Sequence, residues 1–263
     1  MTRIWLIGLL SVLDALAASP PRIASFSPAA TRILTDLGAA GEVTAVTRWC
    51  ELPEGHPARR DCDAFEPDLE ALRASGAEIA ILPRLANPML AARVRSLGLR
   101  TIVLAPESPD SPAEDIASLA EALGRQPAGR SLLDARKAVR HPSTGKRVLI
   151  IWDGVCAGPS SYLSWVIRSA GAEVAIPEGT WPAWDIELAT RSAPDLVLRL
   201  GANGPATPEV DREALNAWRT TPGLRTTHAA QAGCVYHLKP GTDWLPASGQ
   251  PRAAATLADL LRK

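Results

Sequence analysis

Residues Arg22 to Gly55, RIASFSPAATRILTDLGAAGEVTAVTRWCELPEG, admit few folds. Ile23 to Phe26 is a short apolar strand, and Ser27-Pro28 supplies an N-cap with proline at the first helical position. Ala30, Ile33, Leu34 and Leu37 recur at helical spacing, and Gly38 stops the helix. Val43 to Val46 is a second strand. Strand, helix and strand in this order predict an α/β fold with parallel pairing. The loop from Thr47 to Pro53 leaves the carboxyl end of the second strand, where open α/β sheets bind ligands, and it carries Trp49.

The alternation continues. A polar loop is expected from Arg59 to Phe65, a helix opening at Pro67 with Leu69, Ala71 and Leu72, and a buried strand over Ile79 to Leu82. Met89 to Leu97 reads as a helix and Thr101 to Leu104 as a strand. PESPDSP, from Pro106 to Pro112, breaks the pattern. Two helices follow, Ala113 to Leu123 and Ala128 to Arg140; the second has few large apolar residues, which suits a helix lying between two lobes. The second half then repeats the first. Arg147 to Ile151 mirrors Arg22 to Phe26, the helix Tyr162 to Ala170 stops at Gly171, and Glu173-Val174 matches Glu42-Val43. Glu70 stands eight residues before Glu78 of EIAI, and Glu187 eight before Asp195 of DLVL. The helix dipole accounts for either first-turn glutamate alone, but not for their equivalence. The expected architecture is two α/β lobes, 18–108 and 146–263, joined by a helical segment over 109–145.

Lys+Arg and Asp+Glu balance at 28 each, so nothing points to a nucleic-acid or anionic membrane surface. The amino terminus reads as an export signal over 1–17: Arg3, an apolar run from Ile4 to Leu13, and Ala15-Leu16-Ala17 as cleavage site. The run is too short to span a bilayer. No cysteine follows it, so no lipid anchor is expected, and the chain is read as exported. Four cysteines in an exported chain suggest two disulfides with three possible connectivities. Cys50–Cys62 with Cys156–Cys234 keeps each link within one half. The four histidines, His56, His141, His228 and His237, show no ligand spacing, which argues against a metal site.

Eight tryptophans stand against two tyrosines and two phenylalanines, and a flat indole suits the wall of a site for a bulky ligand. Trp152 ends the first strand of the second half and leads into DGVCAGPSS, a glycine-rich loop that matches neither a P-loop nor GxGxxG. Thr180-Trp181-Pro182-Ala183-Trp184 is placed like the Trp49 loop. Val235 to Leu238 is a strand running into Asp243-Trp244, and the last helix spans about Pro251 to Leu261. Trp165 and Trp218 have helical surroundings and read as core. An exported hydrolase using Ser160 or Ser161 would lack both a nucleophile elbow and a placed histidine base.

RIASFSPAATRILTDLG, TRWCELP, DLEAL, IELA, TPGL and the terminal VYHL, TDWL and PRAAATLADLL resemble the periplasmic substrate-binding proteins of ABC importers for cobalamin and siderophores. The resemblance covers essentially the whole mature chain. It implies a rigid backbone helix, a cleft between lobes, a monomeric binding protein and not an enzyme, and a permease dimer as partner. The cobalamin branch is nearest through Trp49, Trp181 with Pro182, and Asp243-Trp244. It implies cobalamin or another corrinoid as ligand, with Trp49, Trp152, Trp181, Trp184, Asp243 and Trp244 around it. The alternative on the same fold is a ferric siderophore held by Arg48, Arg84 and Arg252, or haem with Tyr162, Tyr236 or His237 as axial candidate. The family's two glutamates that dock onto permease arginines map onto Glu70 and Glu187.

Overall fold

The computed structural model describes residues 19–63, 68–85 and 88–263. The expected signal over 1–17 and the helix start at Pro67 lie outside the described residues. Ser27 caps the first helix as its sequence predicts, its Oγ accepting from the Ala30 amide at 3.4 Å. The amino-terminal half runs β1 (Ile23–Ser25), α1 (Pro28–Asp36), β2 (Val43–Thr47), β3 (Arg59–Cys62), α2 (Leu69–Ala74), β4 (Ile79–Leu82), α3 (Pro88–Ser96) and β5 (Arg100–Val103). Its sheet has the order β3-β2-β1-β4-β5, and every pairing is parallel. β1 is central and buried on both faces: Ile23 packs with Ile33 and Leu34 of α1, and Ala24 with Leu72 and Val94 on the other side.

α4 (Ser111–Ala122) and α5 (Gln126–Ala138) follow as an antiparallel pair. α4 packs Ile116 and Leu119 onto the amino-terminal core. The carboxyl-terminal half continues with β6 (Arg147–Trp152), β7 (Val155–Cys156), α6 (Leu163–Ser169), β8 (Glu173–Val174), α7 (Ile186–Ser192) and β9 (Leu196–Leu200). It ends with β10 (Glu209–Val210), α8 (Arg212–Thr220), α9 (His228–Ala232), β11 (Val235–Leu238) and α10 (Gln250–Leu261). The second sheet runs β10-β11-β9-β6-β7, with β8 also paired to β6. The chain is mixed α/β with two sheets, each with a core on either face.

The repeat extends further than the glutamates. Asp68 caps α2 and Asp185 caps α7, so Glu70 and Glu187 are each the second residue of a carboxylate-capped helix. Two local readings change. Arg59 to Cys62 is not loop but the edge strand β3, paired only to β2; an edge strand needs no apolar alternation, so the sequence carried no signal for it. The glycine-rich stretch after Trp152, expected as loop, holds a short strand. Asp153 and Gly154 both take positive φ and turn β6 into antiparallel β7, as a two-residue hairpin requires. Gly158 lets two loops touch: a Cβ there would lie 2.3 Å from the Gly179 carbonyl oxygen.

The expected disulfides do not form. Cys50 is a free, buried thiol lying 3.2 Å from the Thr47 hydroxyl. It packs with the core on the α1 face of the sheet, whereas Cys62 packs with the core on the opposite face. Cys156 and Cys234 are also free. Cys156 sits on β7 and Cys234 just before β11, with β6 and β9 between them. Three strand spacings, roughly 14 Å, exceed any disulfide's reach. Burial pushes the Cys156 thiol up to about 12, with Asp185 adding to the effect, which makes it inert. A thiol reagent is therefore expected to spare Cys50 and Cys156 in the folded protein and modify both after denaturation. Peptide mapping under non-reducing conditions that found Cys50 joined to Cys62 would contradict this arrangement.

Candidate functional site

All five strands of the first sheet are parallel, so their carboxyl ends share one edge, and that edge forms one wall of a cleft. Phe26 and Ser27 leave β1, Thr47 to Trp49 leave β2, and Cys62 with Asp63 closes β3. Pro83 to Leu85 leave β4, while Leu104 and Glu107 follow β5. Tyr162 and Pro246 of the other half face them, and the cavity between holds about 600 Å³. That volume is in the range of small-molecule and cofactor sites.

The lining is mostly apolar, with three guanidinium groups, Arg48, Arg60 and Arg84, and two carboxylates, Asp63 and Glu107. Trp49 is 70% exposed, and the Arg48 guanidinium lies 5.0 Å from the centre of its indole. Arg60 donates to the Cys50 carbonyl at 2.8 Å. Arg84 is fixed from behind, donating to the Ala105 carbonyl at 2.7 Å and to Asp115 at 3.2 Å. Asp115 also accepts from the Ala105 amide at 2.7 Å. Burial nevertheless pushes the Asp115 carboxyl up to about 6, outweighing that hydrogen bond and the Arg84 charge. Tyr162 is 8% exposed; burial raises its phenol, and Glu107 adds to this against the opposing pull of Arg84. At neutral pH it is a neutral ring, edge-on to Trp181 at 5.5 Å and 61°.

No protein-family model matches the sequence, and no curated protein matches it. Solved structures do. The periplasmic heme binding protein HutB of Vibrio cholerae superposes with a TM-score of 0.78 at 22% identity, over 93% of this chain and 100% of that one. A possible iron-binding periplasmic solute-binding protein from Staphylococcus epidermidis gives 0.76 at 14%, over 94% and 100%. The periplasmic vitamin B12 binding protein BtuF of Vibrio cholerae gives 0.67 at 19%, over 92% and 97%. This chain has the periplasmic binding-protein fold.

Within that fold the sequence-predicted residues separate. Trp49 lines the cleft, as do Arg48, Arg84 and Tyr162. Trp244 does not: it is 4% exposed in the core formed by β6, β9, α6 and α10. Asp243 does not line the cleft either. It pairs with Arg252 at 2.6 Å and with Arg32 of α1 at 3.2 Å, joining the two halves, so Arg252 is engaged there as well. Trp152 and Trp181 are half-buried against the same core as Trp244. Trp184 borders a different cavity of about 700 Å³, with Trp218, Arg199, Asp211 and His237. Its Nε1 is buried without a hydrogen-bond partner among the described residues. Tyr236 is in the core. Glu70 and Glu187 are exposed on their helices, Glu187 at 3.3 Å from Arg191. Arg60 and Glu107 were missed, Arg60 because β3 read as loop. Glu107 follows a strand end that could have flagged it.

Among the described residues no helix is long and apolar enough to cross a membrane, and no group of three or more His, Cys, Asp or Glu is placed to hold a metal ion.

Asp115 gives a pH test. Its folded pKa, about 6, lies above the ordinary aspartate value of 3.8. The folded state thus favours the protonated acid, a contribution complete below the unfolded value and lost as pH rises through 6. The loss amounts to about 3 kcal/mol by linkage. Urea unfolding of the parent and Asp115→Asn at pH 4 and pH 7 should show the variant gaining relative to the parent by roughly that amount at the higher pH. A difference independent of pH would mean Asp115 titrates normally.

Proposed function

We propose that this chain is an exported solute-binding protein that takes a bulky metal-containing ligand between its lobes and hands it to an ABC importer. It binds and does not catalyse. The observation that carries the reading is the cleft: a cavity at the carboxyl ends of five parallel strands, closed by an aromatic residue of the second lobe. An apolar lining with Trp49, Leu104 and Tyr162 suits a flat hydrophobic face, and Arg48, Arg60 and Arg84 suit anionic groups at its edge. Haem, with a flat face and two carboxylates, fits that combination best, and a ferric siderophore shares the anionic part. HutB, of the same fold, is a haem-binding protein, which supports the reading by analogy. Tyr162, a neutral phenol in the ligand-free protein, stands in the cleft wall.

Cobalamin or another corrinoid is the second reading, carried by Trp49 and by the likeness to BtuF. It is weaker on this cleft, because Trp152, Trp181, Trp184, Asp243 and Trp244 stand outside the lining. Titrating the purified protein with haem, ferric siderophores and cobalamin, followed by visible absorbance, separates the ligands. Haem is expected to bind, and Trp49→Ala to weaken it by about 1–3 kcal/mol, the range for a large aromatic anchor. Arg48→Glu is expected to weaken haem and spare cobalamin. Tight binding of cobalamin alone would reverse the assignment.

We assign Glu70 and Glu187 to the permease, one to each subunit of a dimer, with the binding protein acting as a monomer in the periplasm after loss of residues 1–17. Both are exposed, second in helices capped by an aspartate. Their replacement by arginine is expected to leave ligand affinity within about twofold and to abolish uptake in the double variant, since like charges would meet. Normal uptake by Glu70→Arg with Glu187→Arg would leave both as ordinary first-turn acids.

A further inference from the structure

Tyr162 is the aromatic of the second lobe in the cleft wall, and two side chains from distant parts of the chain grip its backbone. Its amide donates to Glu107 Oε1 at 3.0 Å. Its carbonyl accepts from Gln250 Nε2 at 3.4 Å. The helix it precedes, α6, has no capping side chain of its own, and Glu107 supplies the missing acceptor from the segment that leaves β5. Gln250 is fully buried. Its Oε1 takes a hydrogen bond from Arg136 of α5, which also donates to the Pro109 carbonyl at 2.8 Å.

The segment from Ala105 to Pro109 is therefore held at three points: at Ala105 by Arg84 and Asp115, at Glu107 by Tyr162, and at Pro109 by Arg136. Each grip comes from a different part of the molecule. We infer that Glu107 and Gln250 are positioning residues for the cleft, holding the Tyr162 backbone from two sides and so setting where its ring meets a bound ligand. Gln250 does this without lining the cavity. The inference rests on the cleft being the ligand site.

Gln250→Glu tests it, because glutamate keeps the acceptor for Arg136 and removes the side-chain donor to the Tyr162 carbonyl. Haem affinity is expected to fall on the order of tenfold, the size of one lost buried hydrogen bond. The near-ultraviolet circular dichroism of the ligand-free protein should change as well, since Trp181 packs on Tyr162. Glu107 supplies the second arm. Glu107→Gln still accepts from the Tyr162 amide and Glu107→Ala does not, and because Glu107 also lines the cavity this pair is compared without ligand. Hydrogen exchange at the Tyr162 amide, measured without ligand, should quicken in Glu107→Ala and stay slow in Glu107→Gln. Equal exchange in both Glu107 variants, or parent-like haem affinity in Gln250→Glu, overturns the positioning role. If the parent binds none of haem, ferric siderophore or cobalamin, the functional reading fails, and the exchange data still decide whether Glu107 holds Tyr162.

Discussion

The buried guanidinium of Arg136 is the constraint on which the relation between the halves depends. It is 5% exposed, and burial lowers it to about 10, so it stays charged at neutral pH. A buried cation is tolerated only where its donors are met. Here they are met by Gln250 of α10 and by the Pro109 carbonyl, with the Trp165 ring 3.7 Å beneath the charge. Those partners come from the segment leaving the first sheet, from the second core and from the last helix.

A second seam runs on the α1 side. Arg32 donates to Thr242 at 2.8 Å, Asp36 accepts from Ser248 at 2.6 Å, and Asp243 sits between Arg32 and Arg252. Burial raises the Asp243 carboxyl despite Arg32, the behaviour expected of a structural acid at an interface. Ala247, fully buried, belongs to the amino-terminal core although it lies late in the chain. The cleft is what remains between two polar seams and the apolar cores of the two sheets. Its charge comes from arginines and carboxylates in or just after the strands, side chains that the cores cannot accept.

Free thiols need no special protection in this arrangement. Cys50 and Cys156 are both buried, and the Cys156 thiol, pushed up to about 12, is not a nucleophile at neutral pH. Cores of this size are held by packing, so cross-links are not required as they are in very small exported domains.

The sequence by itself determined the architecture. Apolar runs of four to six residues, helical spacing between them and glycine stops identify the central strands and most helices, because those patterns are local. The matched positions of Glu70 and Glu187 declared the repeat for the same reason, and Trp49 was legible because it directly follows a strand end. The tertiary structure alone decided which other aromatics line the cleft. Trp244 and Trp49 are each indoles beside a polar residue, and only the packing of α10 against β9 and β6 makes one of them core. It also decided the cysteine pairing, since halves of a sequence do not tell which face of a sheet a thiol occupies. Tyr162 reaches the cleft through Glu107 and Gln250, 55 and 88 residues away, and contacts at that separation leave no periodic trace in the chain.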